Sequence, residues 1–581
     1  MIDDAASSPH DGVPPAPPAP LMPALDVAIE AEADAEETRA GLARATTVLA
    51  IGNITSRILG FAKEILLANL FGAGRAVDAF QIAITIPRDL YDLAIFGHTN
   101  SALVPVLSEY AARRDRTELW RLVGTLMSLV LLASGLLVLG MVIFTPQVIT
   151  LYRGSPSPGL LREAFDLPGA LALQNASALT QEAFDQSVRL LRLTAPALVF
   201  MSLFAVLSGM LYALKRFVWP AFGAALFNGM IVLSTLALAP VIGIEGVALG
   251  WVLGAVAQLA LQFGGTRGAR LRLVLRGLPR MLAHPGLRRI GLLYLPVLLT
   301  LIVDVLVNRP FSYNIASQTG EGNIGYMSWA TSLREFPMGL VGTAISIAIL
   351  PTLARQALSS DLLTAFRDTL GQGMRLALTL IIPAAVGMFV LSGPLIGLVF
   401  EHGNFTAENT AVMSLVLRLY LLGIPFAAID LLLIFAFYAR RDSLTPALIG
   451  IFSLACYIGL TLLLRPLIGF FSLMVADSAK HLIHMTVSII LLRRRLGGMG
   501  EQRLGLTVAK VCLASGVMAL VTYALALSVA ELWPIQGLRE RLALVLVPAL
   551  LGGLTYLSLA SLLRLNEMAL FLRAFTRRIR R

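Results

Sequence analysis

Charged residues are scarce in this chain: only 14% of its 581 residues are Asp, Glu, Lys or Arg. A soluble chain carries about 25%, so an ordinary cytosolic globule is excluded. Cysteine is scarcer still. Cys456 and Cys512 are the only two, and both lie in apolar runs, which argues against a disulfide framework or a thiol metal site. Walker loops, HExxH, paired CxxC and GxSxG are all missing, so the sequence offers no enzyme constellation and no ATP-hydrolysing engine of its own. What remains is apolar. Hydrophobic residues make up 57% of the chain. They fall in recurring runs of about 20 residues, the length that crosses a bilayer. The expected fold class is an all-α polytopic membrane protein with about fourteen transmembrane helices. The net charge of +11 does not imply nucleic acid, because the bases sit in short loops between apolar runs and face lipid headgroups there.

The second half of the chain repeats the first. ALVPVLSEYAA (102–112) matches AILPTLARQAL (348–358), and LYALKRFVWPAF (211–222) matches FYARRDSLTPAL (437–448), in the same order. Two six-helix lobes are the simplest source of such a repeat, with a substrate site between them at mid-membrane depth. The boundaries read as an acidic, proline-rich disordered tail (1–43), a first lobe (44–267), an amphipathic linker (268–287), a second lobe (288–496), and two further helices with a basic tail (497–581). Helix breaks are expected near Gly97 and Gly342, and a polar insertion over 154–186. Loops ARRDR (112–116), KR (215–216), RR (440–441) and RRR (493–495) follow even-numbered spans, so both termini are expected in the cytoplasm and the two lobes parallel.

Charges within the apolar runs are costly and mark candidate sites. Asn53, Arg57, Gly60 and Glu64 share one helix face, which fits either a cavity lining or a structural Arg57–Glu64 pair, with Lys63 beside it. Arg88 stands one turn from Asp92 and could pair with it, while Asp78 follows FGAGR as a possible helix cap. His98, at the expected break, reads as structural. In the second half, Asp304 and Asn308 are four apart, and Arg334-Glu335 precedes Phe-Pro, a signature of irregular helix. Asp477, Lys480, His481 and His484 form one stripe, either a proton relay or a self-neutralised cluster.

SRILGFAKEILLANLFGAGRAVDAF (56–80), LREFPMGLVGTAISIAILPTLAR (333–355) and FYARRDSLTP (437–446) together resemble the MurJ/MviN family of the multidrug/oligosaccharidyl-lipid/polysaccharide exporter superfamily. The resemblance covers roughly 44–565 and implies a flippase that moves lipid II, the undecaprenyl-linked peptidoglycan precursor, from the inner to the outer leaflet. It places Arg57, Lys63, Asp78 and Glu335 around a central cavity facing the substrate's pyrophosphate. The sequence departs from the family pattern at Tyr91, Phe96 and Ser332; Arg88 and Arg334 are the neighbouring cations that could compensate. Tyr457 stands where an asparagine is usual, which weakens a sodium site on that helix, while Asn228 is retained in the first half.

The expected substrate-binding residues are therefore Arg57, Lys63, Asp78, Arg88, Arg334 and Glu335. Asp304, Asn308, Asp477 and His481 are candidates for ion or proton coupling. No organic cofactor is expected; a coupling cation, Na+ or H+, is the one small partner the reading admits. The other expected partners are the lipid-linked precursor, the phospholipid of the bacterial plasma membrane and cell-wall synthesis proteins. A flippase for another polyprenyl-linked glycan, a drug/cation antiporter and a non-transporting membrane scaffold are the alternatives.

Overall fold

The computed structural model describes residues 22–94, 99–112, 116–153, 181–269, 285–358, 360–498, 504–533, 537–565 and 567, and every regular element among them is helical. The first lobe comprises α1 (Met22–Phe71), α2 (Arg75–Ala94), α3 (Thr99–Ala111), α4 (Thr117–Ile143), α5 (Thr145–Arg153), α6 (Gln181–Thr194), α7 (Ala197–Ala213), the short α8 (Val218–Ala221), α9 (Gly223–Ile242) and α10 (Ile244–Gly265). The second comprises α11 (Pro285–Val303), α12 (Arg309–Thr319), α13 (Asn323–Pro337), α14 (Ala344–Gln356), α15 (Leu363–Val390), α16 (Ser392–Val399), α17 (Ala407–Leu421), α18 (Ile424–Ala439), α19 (Leu444–Ile468) and α20 (Ser472–Leu496). α21 (Leu504–Leu532) and α22 (Leu538–Leu562) pack on each other and on α15 of the second lobe.

Nine described helices are long and apolar enough to cross a membrane, or ten if the bent pair α17–α18 is one span. One of the nine, Leu444–Leu496, runs 53 residues. It contains two of the expected spans, because the chain turns at Gly469, where φ is +54°. The expected spans at 44–71 and 76–111 are helical over their described residues but heavily charged: Arg57, Lys63 and Glu64 crowd the first, and Asp78, Arg88, Asp89 and Asp92 the second. Their apolar signal is diluted by the residues that carry the site.

Three boundaries differ from expectation. The tail read as disordered is helical from Met22, because the prolines end at Pro23 and the stretch beyond is rich in Ala and Glu, strong helix formers. The polar insertion ends at residue 180, since α6 begins at Gln181; Ala183, Phe184, Ser187, Leu190, Leu191 and Thr194 recur at helical spacing and are buried. The break expected at Gly342 is a widening of the helix instead. Met338–Thr343 is a π-helix directly after Pro337, which has no N–H to give the preceding turn. The break at Gly97 and most of the linker (270–284) lie outside the described residues.

The repeat is present in three dimensions. Lys215 and Arg441 occupy equivalent places in the two matched segments, and both adopt the left-handed conformation, with φ of 59° and 60°. Each ends its helix with the same backbone hydrogen bond, Arg216 N to Leu211 O at 2.8 Å and Asp442 N to Phe437 O at 3.0 Å. The next residue then ties the turn to the last helix of its own lobe, with opposite charge. Arg216 Nη1 donates to Gly265 O at 2.5 Å at the end of α10, and Asp442 pairs with Arg495 at the end of α20. Burial alone would raise the Asp442 carboxyl, but hydrogen bonds from Thr445 and Arg495 hold it below the usual carboxylate range. A side chain in the left-handed region costs about 1 kcal/mol relative to glycine. Lys215→Gly and Arg441→Gly are therefore expected each to raise the midpoint of thermal unfolding in detergent. A lowered midpoint would show that the cationic side chains hold the turns themselves.

Candidate functional site

The lobes meet at both ends: Arg289 pairs with Glu109 at 2.6 Å near the basic loops, and at the opposite helix ends polar residues build a latch. Asp78 on α2 is buried, and its two carboxylate oxygens accept Gly322 N at 2.7 Å and Gly325 N at 3.0 Å, capping the start of α13 in the other lobe. Arg75 pairs with Glu321 beside it. Asn404 N donates to Asn69 O at 2.8 Å, and its side chain to Leu70 O at 2.6 Å. Ser317 donates to Arg153 O at 2.9 Å. Gly322 and Gly403 permit this approach. Their φ values are +75° and +57°, and a Cβ there would come within 2.7 Å of the Ala73 backbone and 2.2 Å of the Asn69 side chain.

Beneath the latch lies an aromatic plug. Trp329, fully buried, packs on Phe400 and Phe405 at 5.9 and 5.6 Å, and Phe400 meets Phe61 of the first lobe at 6.0 Å. Glu64 accepts the Trp329 indole N–H at 3.0 Å and holds Lys63 at 2.9 Å, while the Lys63 ammonium lies over Trp251 at 5.7 Å. Glu64 thus pairs with Lys63, not with Arg57.

Further from the latch stand the uncommitted charges. Arg57 is exposed and has no hydrogen bond or ion pair among the described residues. Its guanidinium lies over the π-helical segment of the second lobe, where a Cβ on Gly339 would be 3.1 Å from Nη1. Arg88 is likewise exposed and has no hydrogen bond or ion pair among the described residues; the buried Asp89 beside it is within its electrostatic reach. Glu335 is exposed beside Arg334.

Arg334 is held inside the second lobe. It bonds Asp477 and covers the Tyr420 ring at 4.8 Å. Asp477 also takes Lys480 at 2.6 Å, with His481 at 3.9 Å. The stripe on α20 is therefore a cluster neutralised in part by a neighbouring helix. Lys480 lies 5.3 Å over Tyr457, whose hydroxyl shares a 2.8 Å hydrogen bond with Ser312. Ser312 bonds Asn308 O at 2.8 Å, and Asn308 donates to Asp304 at 2.7 Å. Asp304–Asn308 is itself a π-helical segment between α11 and α12. The two separate groups read from sequence, Asp304/Asn308 and Asp477/His481, are thus ends of one polar chain.

Some expectations change. Asp78 does not face the cleft: both its oxygens are used by the latch, because a buried carboxylate is best satisfied by the free N–H groups of a helix start. Asn228 donates to Ser56 O at 3.2 Å and packs on Gly60, so it fastens α9 to α1. Asp430 escaped sequence reading. It is buried and bonded to His484, which draws His484 out of the α20 stripe. A lone aspartate inside the apolar run LLGIPFAAIDLLLIF was the available signal.

A family model described as lipid II flippase MurJ matches residues 67–542. The lipid II flippase MurJ of Burkholderia cenocepacia is 30% identical over 416 residues, 71% of this chain and 76% of that protein. A solved structure of lipid II flippase MurJ in an inward closed conformation superposes with a TM-score of 0.70 at 23% identity, covering 89% of this chain and 98% of that one. An inward-facing multidrug resistance MATE family transporter of the MOP superfamily superposes with a TM-score of 0.56 at 15% identity, covering 79% and 99%. Both structural likenesses concern the fold.

Proposed function

The chain belongs to the MurJ lipid II flippase family, and from that premise we propose that Arg57 and Arg88 receive the pyrophosphate of lipid II in the cleft between the lobes. The protein is a multi-pass transporter of the bacterial inner membrane and not an enzyme; it moves lipid II between leaflets. The observation that carries the site assignment is Arg57, a permanent cation on one lobe lying over the backbone of the other with no ion pair among the described residues. An unpaired cation within a membrane domain costs about 3 kcal/mol on insertion scales, a cost that an arriving dianion offsets. Guanidinium groups suit the task because their paired N–H donors match phosphate oxygens.

The cycle follows from the contacts. With latch and aromatic plug closed, the headgroup reaches the cleft from the end that bears the basic loops, which is the cytoplasmic end in our reading, once the Arg289–Glu109 pair there parts. The headgroup enters between α1, α2 and α13 while the polyprenyl tail stays in lipid. Rocking then breaks the latch bonds and opens the opposite side. Membrane potential or a cation gradient resets the empty carrier, since one charge moved through 100 mV is worth about 2.3 kcal/mol. A second reading, a flippase for another polyprenyl-linked glycan, is favoured by Tyr91 and Ser332 where the family pattern has arginine. Native mass spectrometry of the purified protein separates the two. An adduct with lipid II that disappears in Arg57→Ala is expected; selective retention of a different polyprenyl glycan would overturn the substrate.

Arg88 has a sharper test. Arg88→Ala is expected to impair flipping in cells by tenfold or more, Arg88→Ala/Asp92→Ala to remain impaired, and Arg88→Ala/Tyr91→Arg to recover, because the two positions lie nearly one turn apart. Recovery by the double alanine would make Arg88 a structural partner of Asp92.

A further inference from the structure

The Arg334–Asp477–Lys480 cluster is unbalanced. Two basic side chains share one carboxylate, each on its own oxygen: Arg334 on Oδ2 and Lys480 on Oδ1 at 2.6 Å. Among these three groups one positive charge is left over, and the further carboxylate beside Arg334, Glu335, is exposed rather than held against it. The remaining faces of the two cations are covered by the Tyr420 and Tyr457 rings, which stabilise a cation without neutralising it. The cluster is not sealed. Arg334, Lys480 and His481 keep 20, 22 and 23% of their side chains exposed, against 13% for Asp477. Arg334 also lies five residues before Gly339, over which Arg57 stands, so the cluster and the free cation of the first lobe flank the same stretch of helix, about 7 Å apart along its axis.

We propose that Arg334 and Lys480 form a second phosphate-binding subsite for the substrate headgroup, and that the Asp477 carboxylate occupies it as an internal stand-in while the carrier is empty. This rests on the flippase reading. Phosphate oxygens have the charge and acceptor geometry of the carboxylate, so an arriving pyrophosphate displaces Asp477 from one of its cations and takes up the surplus charge. When the substrate leaves, Asp477 returns, and the empty lobes rock back without two bare cations. Asp477 is then a placeholder that sets affinity rather than an ion-coupling group. Other charged groups near the cluster are Glu335 on the same helix as Arg334, Asp304 at the far end of the polar chain, where Arg309 pairs with it at 3.5 Å, and the Asp430–His484 pair one to two turns along α20, whose two members satisfy each other.

The test uses the purified full-length protein in detergent at low salt, with inorganic pyrophosphate and acetate as probes. Asp477→Asn is expected to bind pyrophosphate at least tenfold more tightly than the unaltered protein, and its unfolding midpoint, lowered without ligand, to be restored by pyrophosphate. Lys480→Gln keeps the one-to-one Arg334–Asp477 pair, and is expected to bind pyrophosphate at least fivefold more weakly. Should Asp477→Asn fail to fold, Lys480→Gln decides alone. Affinities within twofold of the unaltered protein in the folded variants would overturn the subsite, as would a gain of affinity for acetate with none for pyrophosphate. If Arg57→Ala still abolishes flipping in that case, the subsite is wrong and the flippase reading stands.

Discussion

Arg57→Ala abolishes flipping while the protein still folds and inserts. The expectation follows from what Arg57 does not do: among the described residues it holds no carboxylate and caps no helix, and it is exposed. Removing it strands no partner among the described residues and relieves the cost of an unpaired cation in the membrane domain, so the fold is not destabilised. The pyrophosphate loses a charge-assisted, two-pronged contact worth about 1.5–3 kcal/mol, roughly 10- to 150-fold in binding. Arg57→Lys retains the charge but not the fork, and keeps partial activity. Growth of a flippase-depleted strain measures activity, and circular dichroism with thermal unfolding measures the fold. Normal growth on Arg57→Ala would remove Arg57 from the site.

Asp78→Ala is expected to be as damaging by a different route. The carboxylate satisfies Gly322 N and Gly325 N across the lobes, and alanine leaves both buried N–H groups unpaired when the latch is closed. The closed state loses about 2–4 kcal/mol, roughly 30- to 700-fold in the closed/open equilibrium. A cysteine replacing Ser317, buried at the same seam, reports the opening. Its labelling by a maleimide is expected to quicken at least tenfold when Asp78→Ala is added, with flipping lost and helical content unchanged. An unchanged labelling rate would mean the latch is held by other bonds.

Much of this architecture was legible in the sequence because membrane helices announce themselves by apolar length and lobes by repetition. The segments around Lys215 and Arg441, recognised only as matching letters, fold into the same left-handed turn. Arg57 and Arg88 were legible as candidates too, since a charge inside a membrane-spanning helix is costly. Pairing was not. Whether a buried acid faces a cavity or a helix start depends on which element packs opposite, and Asp78 meets α13, some 245 residues later in the chain. Glu64 is one residue from Lys63 but also meets Trp329, and Asp477 answers a cation from another helix. Sequence spacing exposes partners within a helix; those across helices follow from the packing.

The central claim is that this chain moves lipid II between leaflets through an inter-lobe cleft lined by Arg57. Its most direct test is complementation of a strain depleted of its lipid II flippase, scored together with the accessibility of lipid II at the outer leaflet. The account predicts that the unaltered chain restores both growth and outer-leaflet lipid II, and that Arg57→Ala restores neither while reaching the membrane in equal amount. Failure of the correctly inserted, unaltered chain to restore outer-leaflet lipid II would contradict it.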